Sequence, residues 1–188
     1  VVVPAGIDGG WNDEEPPDGD LADDVGFIDA LVATAKNEYP SLLDDQFFAH
    51  GFSNGGGLAT LLACESSKIR GVGVIGNYYY PSPGGCPRPT GHTVPGWFGV
   101  GLEDEIVPVE SVRDTMSSYA EDLTDCSTSE SLETIDSSDV PNGVVCKQLS
   151  DCPNARSCEY DDRGHEILPG SVLAAWNYLS ARYGSTPN

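Results

Sequence analysis

A serine between two glycines is the first residue of this sequence that could act as a nucleophile. Ser53 lies in the pentapeptide Gly51–Gly55 (GFSNG), after a short apolar stretch of strand length and before a run typical of a tightly packed helix. A strand, G-x-S-x-G and a helix together predict a nucleophile elbow, which exposes the serine hydroxyl above a sheet. Glycine is needed at 51 and 55 because side chains there would collide in so sharp a turn. The helix N-terminus beneath Ser53 favours developing negative charge.

Two further residues complete a serine-based catalytic set. A serine hydroxyl needs a general base, and the base needs a carboxylate that orients it. Hydrolases built on this elbow carry them in the chain order serine, acid, histidine. His165 follows a predicted strand and precedes the last predicted helix, so it is the candidate base. Asp104 follows the strand predicted at 94–101 and is the candidate acid, while His92, in a loop rich in Pro and Gly, has no defined role.

The negative charge that develops on an ester carbonyl requires hydrogen-bond donors. The backbone N–H of Asn54, the residue after the nucleophile, is predicted to be one of them. A second donor normally comes from a loop after an earlier strand, and no such loop is recognisable among the 52 residues before Ser53. An inactive, hydrolase-like binding domain is therefore the alternative to an enzyme. Three aromatic residues are candidates for a substrate-binding surface, with ordinary packing as the competing interpretation: Trp11, Tyr78 and Tyr79.

Alternating helices and short apolar strands are predicted to position these residues. The pattern indicates one domain, 1–188, with an α/β layered fold on a mainly parallel sheet, where chemistry gathers at the carboxyl ends of strands. Predicted strands cover 1–3, 46–50, 71–76, 94–101, 144–149 and 157–160, the last two around a turn at Cys152. Predicted helices cover 23–38, a stretch after the elbow to about 65, 110–122 and a stretch from Ser171.

Residues 71–76 (GVGVIG) also match the dinucleotide-binding fingerprint G-x-G-x-x-G. That fingerprint must follow a strand and open a helix, whereas this segment follows a helix and is itself of strand type. No cofactor is therefore predicted. The glycines are expected to allow close packing against the helix after the elbow.

The composition limits the classes of partner. The 188 residues include 30 acidic and nine basic side chains, which gives a net charge of −21. Nucleic acids and anionic membranes are bound through basic patches, so neither is expected as a partner. The sequence contains no run of 18 apolar residues, and no membrane-spanning helix is predicted.

Six cysteines in a chain of this size predict disulfides and an oxidising compartment, which favours secretion. Cys146 and Cys158 are equidistant from the predicted turn at Cys152, so these two are expected to pair. Zinc is the competing interpretation of a cysteine-rich sequence. The chain has no C-x-x-C or H-x-x-x-H pair, and its three histidines are far apart, so no metal site is predicted.

Taken together, these motifs resemble one group of secreted esterases. The sequence is similar to the polyhydroxybutyrate depolymerase and feruloyl esterase group, relatives of carbohydrate esterase family 1 within the α/β-hydrolases. The resemblance covers nearly the whole chain, with the motifs in the family's order. It is carried by VVVP and GGWN within 1–12, DDVGFI at 23–28, GFSNGG at 51–56, LACE at 62–65, D-x-x-V-P at 104–108 and GH…PG within 164–170.

The resemblance implies a fold, a mechanism and a set of disulfides. The fold would be an α/β-hydrolase three-layer sandwich, with Ser53, Asp104 and His165 as the catalytic triad. The activity would be that of a serine carboxylic-ester hydrolase working through an acyl-enzyme without a cofactor. Candidate substrates are feruloyl or acetyl esters of polysaccharides, or polyesters such as polyhydroxyalkanoate. The resemblance also implies two further cysteine pairs, Cys64 with Cys86 and Cys126 with Cys152.

The sequence departs from the family pattern at two places. Family members begin with further strands and a His-Gly oxyanion loop, so this chain is expected to start in mid-fold and to lack the N-terminal strands. Val1–Val3 would then leave a sheet edge open, and an open edge favours self-association. The family's W-P-G after the histidine is replaced by residues 166–170 (EILPG), which leaves the acyl-group preference open.

Overall fold

In a computed structural model of the protein, one mixed sheet carries six strands. The structure describes residues 1–13, 22–41, 47–80, 86, 93–124, 126, 131–136, 138 and 140–183. The strand order is β1-β2-β3-β6-β5-β4. Strands β1, β2, β3 and β6 are parallel, while β5 and β4 run antiparallel at one edge. Their bounds are Phe47–Phe52 (β1), Ile69–Ile75 (β2), Gly96–Gly101 (β3), Leu132–Ile135 (β4), Val144–Leu149 (β5) and Cys152–Tyr160 (β6).

Among the described residues, four α-helices cover the two faces of this sheet. The helices are Asp24–Glu38 (α1), Asn54–Glu65 (α2), Val109–Thr124 (α3) and Ser171–Arg182 (α4), and a short 3-10 helix covers Ile7–Gly9. Buried side chains of α1, α2 and α3 share one core cluster on one face, and those of α4 belong to a second cluster with the opposite face. Parallel strands buried on both faces are typical of such layered folds. The predicted α/β three-layer sandwich is confirmed.

Local sequence signals explain where several of these elements begin. The Asp23 carboxylate caps α1 by accepting a hydrogen bond from the Gly26 N–H at 2.7 Å. Strand β3, and β2 apart from Arg70, consist of apolar residues and glycines, and both strands lie in the middle of the parallel part of the sheet. The amphipathic pattern of α3 places Val112, Met116 and Tyr119 in the core.

The glycines of β2 serve a different helix from the one predicted. A Cβ on Gly73 would lie 3.0 Å from the Ala175 Cβ, and one on Gly71 would lie 2.8 Å from Leu179 Cδ2. Both contacts are with α4. The prediction that these glycines allow close packing of the helix after the elbow, α2, was therefore wrong for Gly71 and Gly73. The absence of side chains at 71 and 73 lets α4 pack closely on the sheet.

The prediction of a strand at Val1–Val3 was wrong. These three residues form no strand, and their side chains are exposed. The parallel edge of the described sheet is formed by β1, the strand that leads into the elbow. An apolar run becomes a strand only when a partner completes its hydrogen bonds, and none of the described strands pairs with residues 1–3. The self-association predicted from Val1–Val3 stays a prediction.

The antiparallel edge also differs from expectation. The predicted turn at Cys152 was wrong, because β6 begins at Cys152 and the turn lies at Ser150 and Asp151. A register shift between Gln148 and Leu149 pairs Leu149 with Cys152, so that only Ser150 and Asp151 connect β5 to β6. Cys146 and Cys158 nevertheless lie directly opposite each other in the ladder.

Candidate active site

The turn between β1 and α2 has the geometry of a nucleophile elbow. Ser53 adopts φ 52° and ψ −123°, a left-handed backbone that is uncommon for a residue with a side chain. A Cβ on Gly51 would overlap the Gly55 carbonyl oxygen, which explains why glycine occupies the first position. The Ser53 N–H donates to the Ile75 carbonyl at 2.8 Å and ties the turn to the end of β2.

The structure brings the serine, the histidine and the aspartate together. His165 Nε2 lies 2.9 Å from Ser53 Oγ, and His165 Nδ1 lies 2.8 Å from Asp104 Oδ2. Ser53 follows β1, Asp104 follows β3 and His165 follows β6, so all three come from the carboxyl ends of parallel strands. This hydrogen-bonded line can move a proton from the serine hydroxyl to the imidazole.

The Asp104 carboxylate is held by its own loop. It is buried, and Oδ1 accepts hydrogen bonds from the N–H groups of Ile106 at 2.9 Å and Val107 at 2.8 Å. Oδ2 is thereby left to face His165. Glu103 and Glu105, on either side, are exposed to solvent.

The loops that carry the acid and the base are joined through their backbones. The Leu102 N–H donates to the Tyr160 carbonyl at 3.0 Å, and the Glu103 N–H donates to the Arg163 carbonyl at 2.8 Å. A Cβ on Gly101 would overlap the Arg163 carbonyl oxygen. The distance between Asp104 and His165 therefore depends on a close backbone approach that only glycine allows at 101.

Comparison with known proteins finds sequence relatives that are named as esterases. No family model matches the sequence. The chain is 27% identical to "Feruloyl esterase C" of Emericella nidulans in an alignment of 190 positions that covers 96% of this chain and 64% of that protein. It is 32% identical to "Probable feruloyl esterase C" of Aspergillus flavus in an alignment of 114 positions that covers 58% of this chain and 37% of that protein. It thus spans less than two thirds of the length of these relatives.

Solved structures show the same architecture. The acetyl xylan esterase from Aspergillus awamori superposes with a TM-score of 0.58 at 12% identity, over 82% of this chain and 67% of that one. A single-substitution variant of SOBER1 from Arabidopsis thaliana superposes with a TM-score of 0.51 at 16% identity, over 85% of this chain and 64% of that one. The fold is that of an α/β-hydrolase. The resemblance to feruloyl esterases noted in the sequence is confirmed, whereas nothing among these relatives points to polyhydroxybutyrate depolymerases.

In this fold the side chain of Asn54 joins the segment around Trp11 to the elbow through two hydrogen bonds. Asn54 Oδ1 accepts from the Trp11 N–H at 2.6 Å, and Asn54 Nδ2 donates to the Trp11 carbonyl at 2.9 Å. The Asn12 N–H donates to the Asp24 carboxylate at 2.6 Å, which also holds this segment to α1. The backbone N–H of Asn54 has no acceptor among the described residues.

The aromatic candidates separate into two groups. Trp11 is half-buried, with its indole 3.8 Å from where a Cβ on Gly55 would lie, so it borders the elbow. Tyr78 is half-buried in the segment after β2. Tyr79 is 1% exposed, and its hydroxyl donates to Asp122 at 2.8 Å. The prediction that Tyr79 contacts substrate was therefore wrong, because its ring belongs to the core.

Two residues near the triad were not singled out in the sequence. The Phe52 ring lies against the His165 imidazole, with 4.9 Å between centroids. Asn77 Nδ2 donates to the Ser53 carbonyl at 2.8 Å. Phe52 could have been suspected, since it is part of the G-x-S-x-G pentapeptide, whereas the place of Asn77 depends on the pairing of β1 with β2. His92 lies outside the described residues.

Three disulfides link segments of this fold. They join Cys64 to Cys86, Cys126 to Cys152 and Cys146 to Cys158, the pairs given in the sequence analysis. Disulfides in a small domain indicate an oxidising compartment. Within the described residues, His, Cys, Asp and Glu form no group of three or more suited to a metal ion. None of the helices that the structure describes has the length and apolar character to cross a membrane.

Proposed function

We propose that this chain is the catalytic part of a serine carboxylic-ester hydrolase. The observation that carries the proposal is the continuous hydrogen-bonded line from Ser53 Oγ through His165 to the Asp104 carboxylate. A buried carboxylate, an imidazole and a serine hydroxyl in this order form the standard device for acyl transfer. Similarity to proteins called feruloyl esterases supports ester substrates.

In the first half of the reaction, Ser53 Oγ attacks the ester carbonyl carbon while His165 Nε2 accepts the hydroxyl proton. The Asp104 carboxylate accepts a hydrogen bond from the Nδ1–H and stabilises the imidazolium. The tetrahedral intermediate then expels the alcohol, which takes the proton from Nε2. The acyl group remains on Ser53 as an ester.

In the second half, water replaces the alcohol. His165 Nε2 removes a proton from water, the resulting nucleophile attacks the acyl carbon, and Ser53 Oγ leaves with that proton. The carboxylic acid is released and the free serine is restored. In both halves the backbone N–H of Asn54 donates to the oxygen that becomes negative, because this N–H points out of the helix N-terminus without another acceptor among the described residues.

The substrate class that we propose is an ester on a plant polysaccharide, with a feruloyl or acetyl acyl group. The names of the sequence relatives support the feruloyl group, and Trp11 beside the elbow supplies an aromatic surface for it. The three disulfides support action outside the cell, where such polymers occur. A net charge of −21 suits neutral esters better than anionic polymers.

A panel of esters tests this proposal. The purified protein and its Ser53→Ala variant are compared on a short p-nitrophenyl ester, methyl ferulate, acetylated xylan and a polyhydroxybutyrate film. We expect hydrolysis of the short ester and of methyl ferulate or acetylated xylan, all lost in Ser53→Ala. If folded wild-type protein releases no acid from any of the four, the chain is a hydrolase-like binding domain instead.

A further inference from the structure

Asn77 connects the end of β2 to the elbow through its side chain. Its Nδ2 donates to the Ser53 carbonyl at 2.8 Å, and its Oδ1 accepts from the Tyr78 N–H at 2.7 Å. Both ends of the amide are therefore engaged, which fixes the orientation of the side chain. Gly56 makes room for it, because a Cβ at 56 would lie 3.1 Å from the Asn77 Cβ.

The Ser53 carbonyl is held by three donors. The N–H groups of Gly56 at 2.8 Å and Gly57 at 3.1 Å come from the first turn of α2, as at the start of most helices. Asn77 Nδ2 is the donor from outside the helix. It ties the carbonyl to the same strand end that accepts the Ser53 N–H through Ile75.

The direction of this carbonyl determines the direction of another group. The peptide between Ser53 and Asn54 is trans and planar, so its N–H points opposite to its C=O. Whatever holds the Ser53 carbonyl therefore also aims the Asn54 N–H. A donor on the carbonyl oxygen further polarises the peptide, which makes its N–H a stronger donor.

We propose that Asn77 is a positioning residue for the oxyanion donor of this site. Its hydrogen bond to the Ser53 carbonyl aims and polarises the Asn54 N–H, which then stabilises the negative charge of the tetrahedral intermediate. The proposal rests on the proposed ester hydrolysis, because an oxyanion forms only in such a reaction. It gives a role to a side chain that touches neither the substrate nor the three triad residues' side chains.

If Asn77 has this role, its substitution should lower kcat and leave KM almost unchanged. Asn77→Asp keeps the shape of the side chain and removes the donor, and Asn77→Ala removes the whole amide. Removing an oxyanion donor outright lowers kcat by about 100- to 1000-fold, so misaiming it is expected to lower kcat by about 10- to 100-fold. KM should stay within about twofold of the wild-type value, since the ester ground state carries no full charge to stabilise.

The experiment compares the two variants with wild type on a short p-nitrophenyl ester and on a trifluoromethyl ketone, which forms a hemiketal oxyanion with the serine. Rates are expressed per folded molecule, measured by circular dichroism. The matched controls are Asn177→Asp and Asn177→Ala, the same changes at an exposed position of α4. We expect ketone affinity to fall in proportion to kcat/KM in both Asn77 variants and both controls to keep wild-type values. The pH profile of kcat/KM should be unchanged in Asn77→Ala, which adds no charge near His165.

Four outcomes would overturn the proposal. Folded Asn77 variants with wild-type kcat and ketone affinity show that the hydrogen bond does not aim the donor. If the loss of activity in Asn77→Ala shifts the pH profile of kcat/KM, Asn77 acts on the protonation of His165 instead. If the variants raise KM and leave kcat unchanged, Asn77 serves the general structure of the site. If wild-type protein neither hydrolyses the ester nor binds the ketone, the proposed function fails, and this inference fails with it.

Discussion

At the scale of single residues, the two oxygens of Asp104 face different partners. Oδ1 accepts two backbone N–H groups, from Ile106 and Val107, and Oδ2 faces His165 Nδ1. The backbone donors thus leave one orientation for the carboxylate. This orientation keeps the proton of the imidazole on Nδ1, so that Nε2 is free to accept the proton of Ser53.

Asp104→Asn should nearly abolish turnover while the fold is kept. The amide oxygen would keep the two backbone donors, and the amide NH2 would face His165 Nδ1. The imidazole would then carry its proton on Nε2, where it cannot accept the serine proton. We expect kcat to fall by about ten-thousand-fold, as in serine proteases. Ester hydrolysis measures the loss of turnover, and thermal melting shows whether the fold is kept.

Glu103→Gln, at the exposed neighbouring position, is the control for Asp104→Asn. It should retain wild-type turnover. An Asp104→Asn enzyme whose turnover stays close to that of wild type would show that another group orients His165.

At this scale the sequence supplied the candidate catalytic residues through their types and their order in the chain. Ser53, Asp104 and His165 were placed by their positions after predicted strands, and the structure brings them within hydrogen-bond distance. Asn77 was missed because its role depends on β1 and β2 being neighbours, which no local pattern states. Tyr79 was misjudged because the direction of a side chain in an irregular segment depends on packing, here against Tyr119 at 5.3 Å.

At the scale of elements, the loops after β3 and β6 form one unit. The backbone bond from Glu103 to Arg163 and the close approach at Gly101 set the spacing between acid and base. Gly101→Ala would push the two loops apart, since a Cβ there overlaps the Arg163 carbonyl oxygen. A displacement of about 1 Å at a catalytic group can lower turnover about 100-fold.

We therefore expect Gly101→Ala to lower kcat by about 100-fold, measured on a short ester with the folded protein. Gly164→Ala provides the comparison, because a Cβ at 164 would meet its nearest atom, the Glu103 carbonyl oxygen, at an ordinary 3.6 Å. Its effect should be much smaller. Equal losses in the two variants would argue against a special role for the approach at 101.

A buried carboxylate links α3, β5 and β6. Glu159 receives two hydrogen bonds from Arg113, both at 2.7 Å, and Lys147 Nζ lies 3.0 Å from Oε1. Burial by itself raises the pKa of Glu159, but the hydrogen bonds and charges of Arg113 and Lys147 outweigh burial and lower this pKa below its ordinary 4.5. The carboxylate is therefore favoured by folding, and its contribution to stability is present above pH 4.5 and lost as the pH falls through the lowered pKa.

Glu159→Gln should lower the free energy of unfolding at pH 7 by on the order of 2 kcal/mol, because two cations lose their buried partner. The difference from wild type should shrink as the pH falls below 4.5, where wild type loses the same interaction. Urea unfolding across this range measures this difference, with Glu121→Gln, at an exposed position of α3, as the control. A difference that stays constant with pH would contradict the assignment.

The elements that the sequence predicted well are those with strong apolar periodicity. Strands β1, β2 and β3 and the four described helices fall in this group, because burial on one or both faces leaves a clear pattern. Strand β6 begins at Cys152, ahead of the strand predicted at 157–160, in a stretch that is largely polar. Strand β4, Leu132–Ile135, was missed because it lies at the sheet edge in a polar stretch. The run at Val1–Val3 has the pattern of a strand, but the described part of the sheet offers it no partner.

At the scale of the whole molecule, the charge of −21 opposes compact folding through self-repulsion. Salt shortens the range of this repulsion, from about 30 Å at about 0.01 M to about 3 Å at about 1 M. We expect the midpoint of thermal unfolding to rise by several degrees when sodium chloride is raised over this range. Potassium chloride should act equally, because the effect is one of screening. A midpoint that falls with salt would show that attractive ion pairs outweigh the repulsion.

Reaction of Ser53 with a fluorophosphonate shows whether this serine is an activated nucleophile. The reagent is attacked by an activated serine oxygen and loses fluoride, so it reports the assembled triad without any assumption about the natural ester. Intact-mass analysis and peptide mapping of the folded protein should show one adduct, on Ser53, and none in Ser53→Ala. Folded wild-type protein that remains unlabelled at Ser53 under conditions that label a known serine esterase would contradict the account.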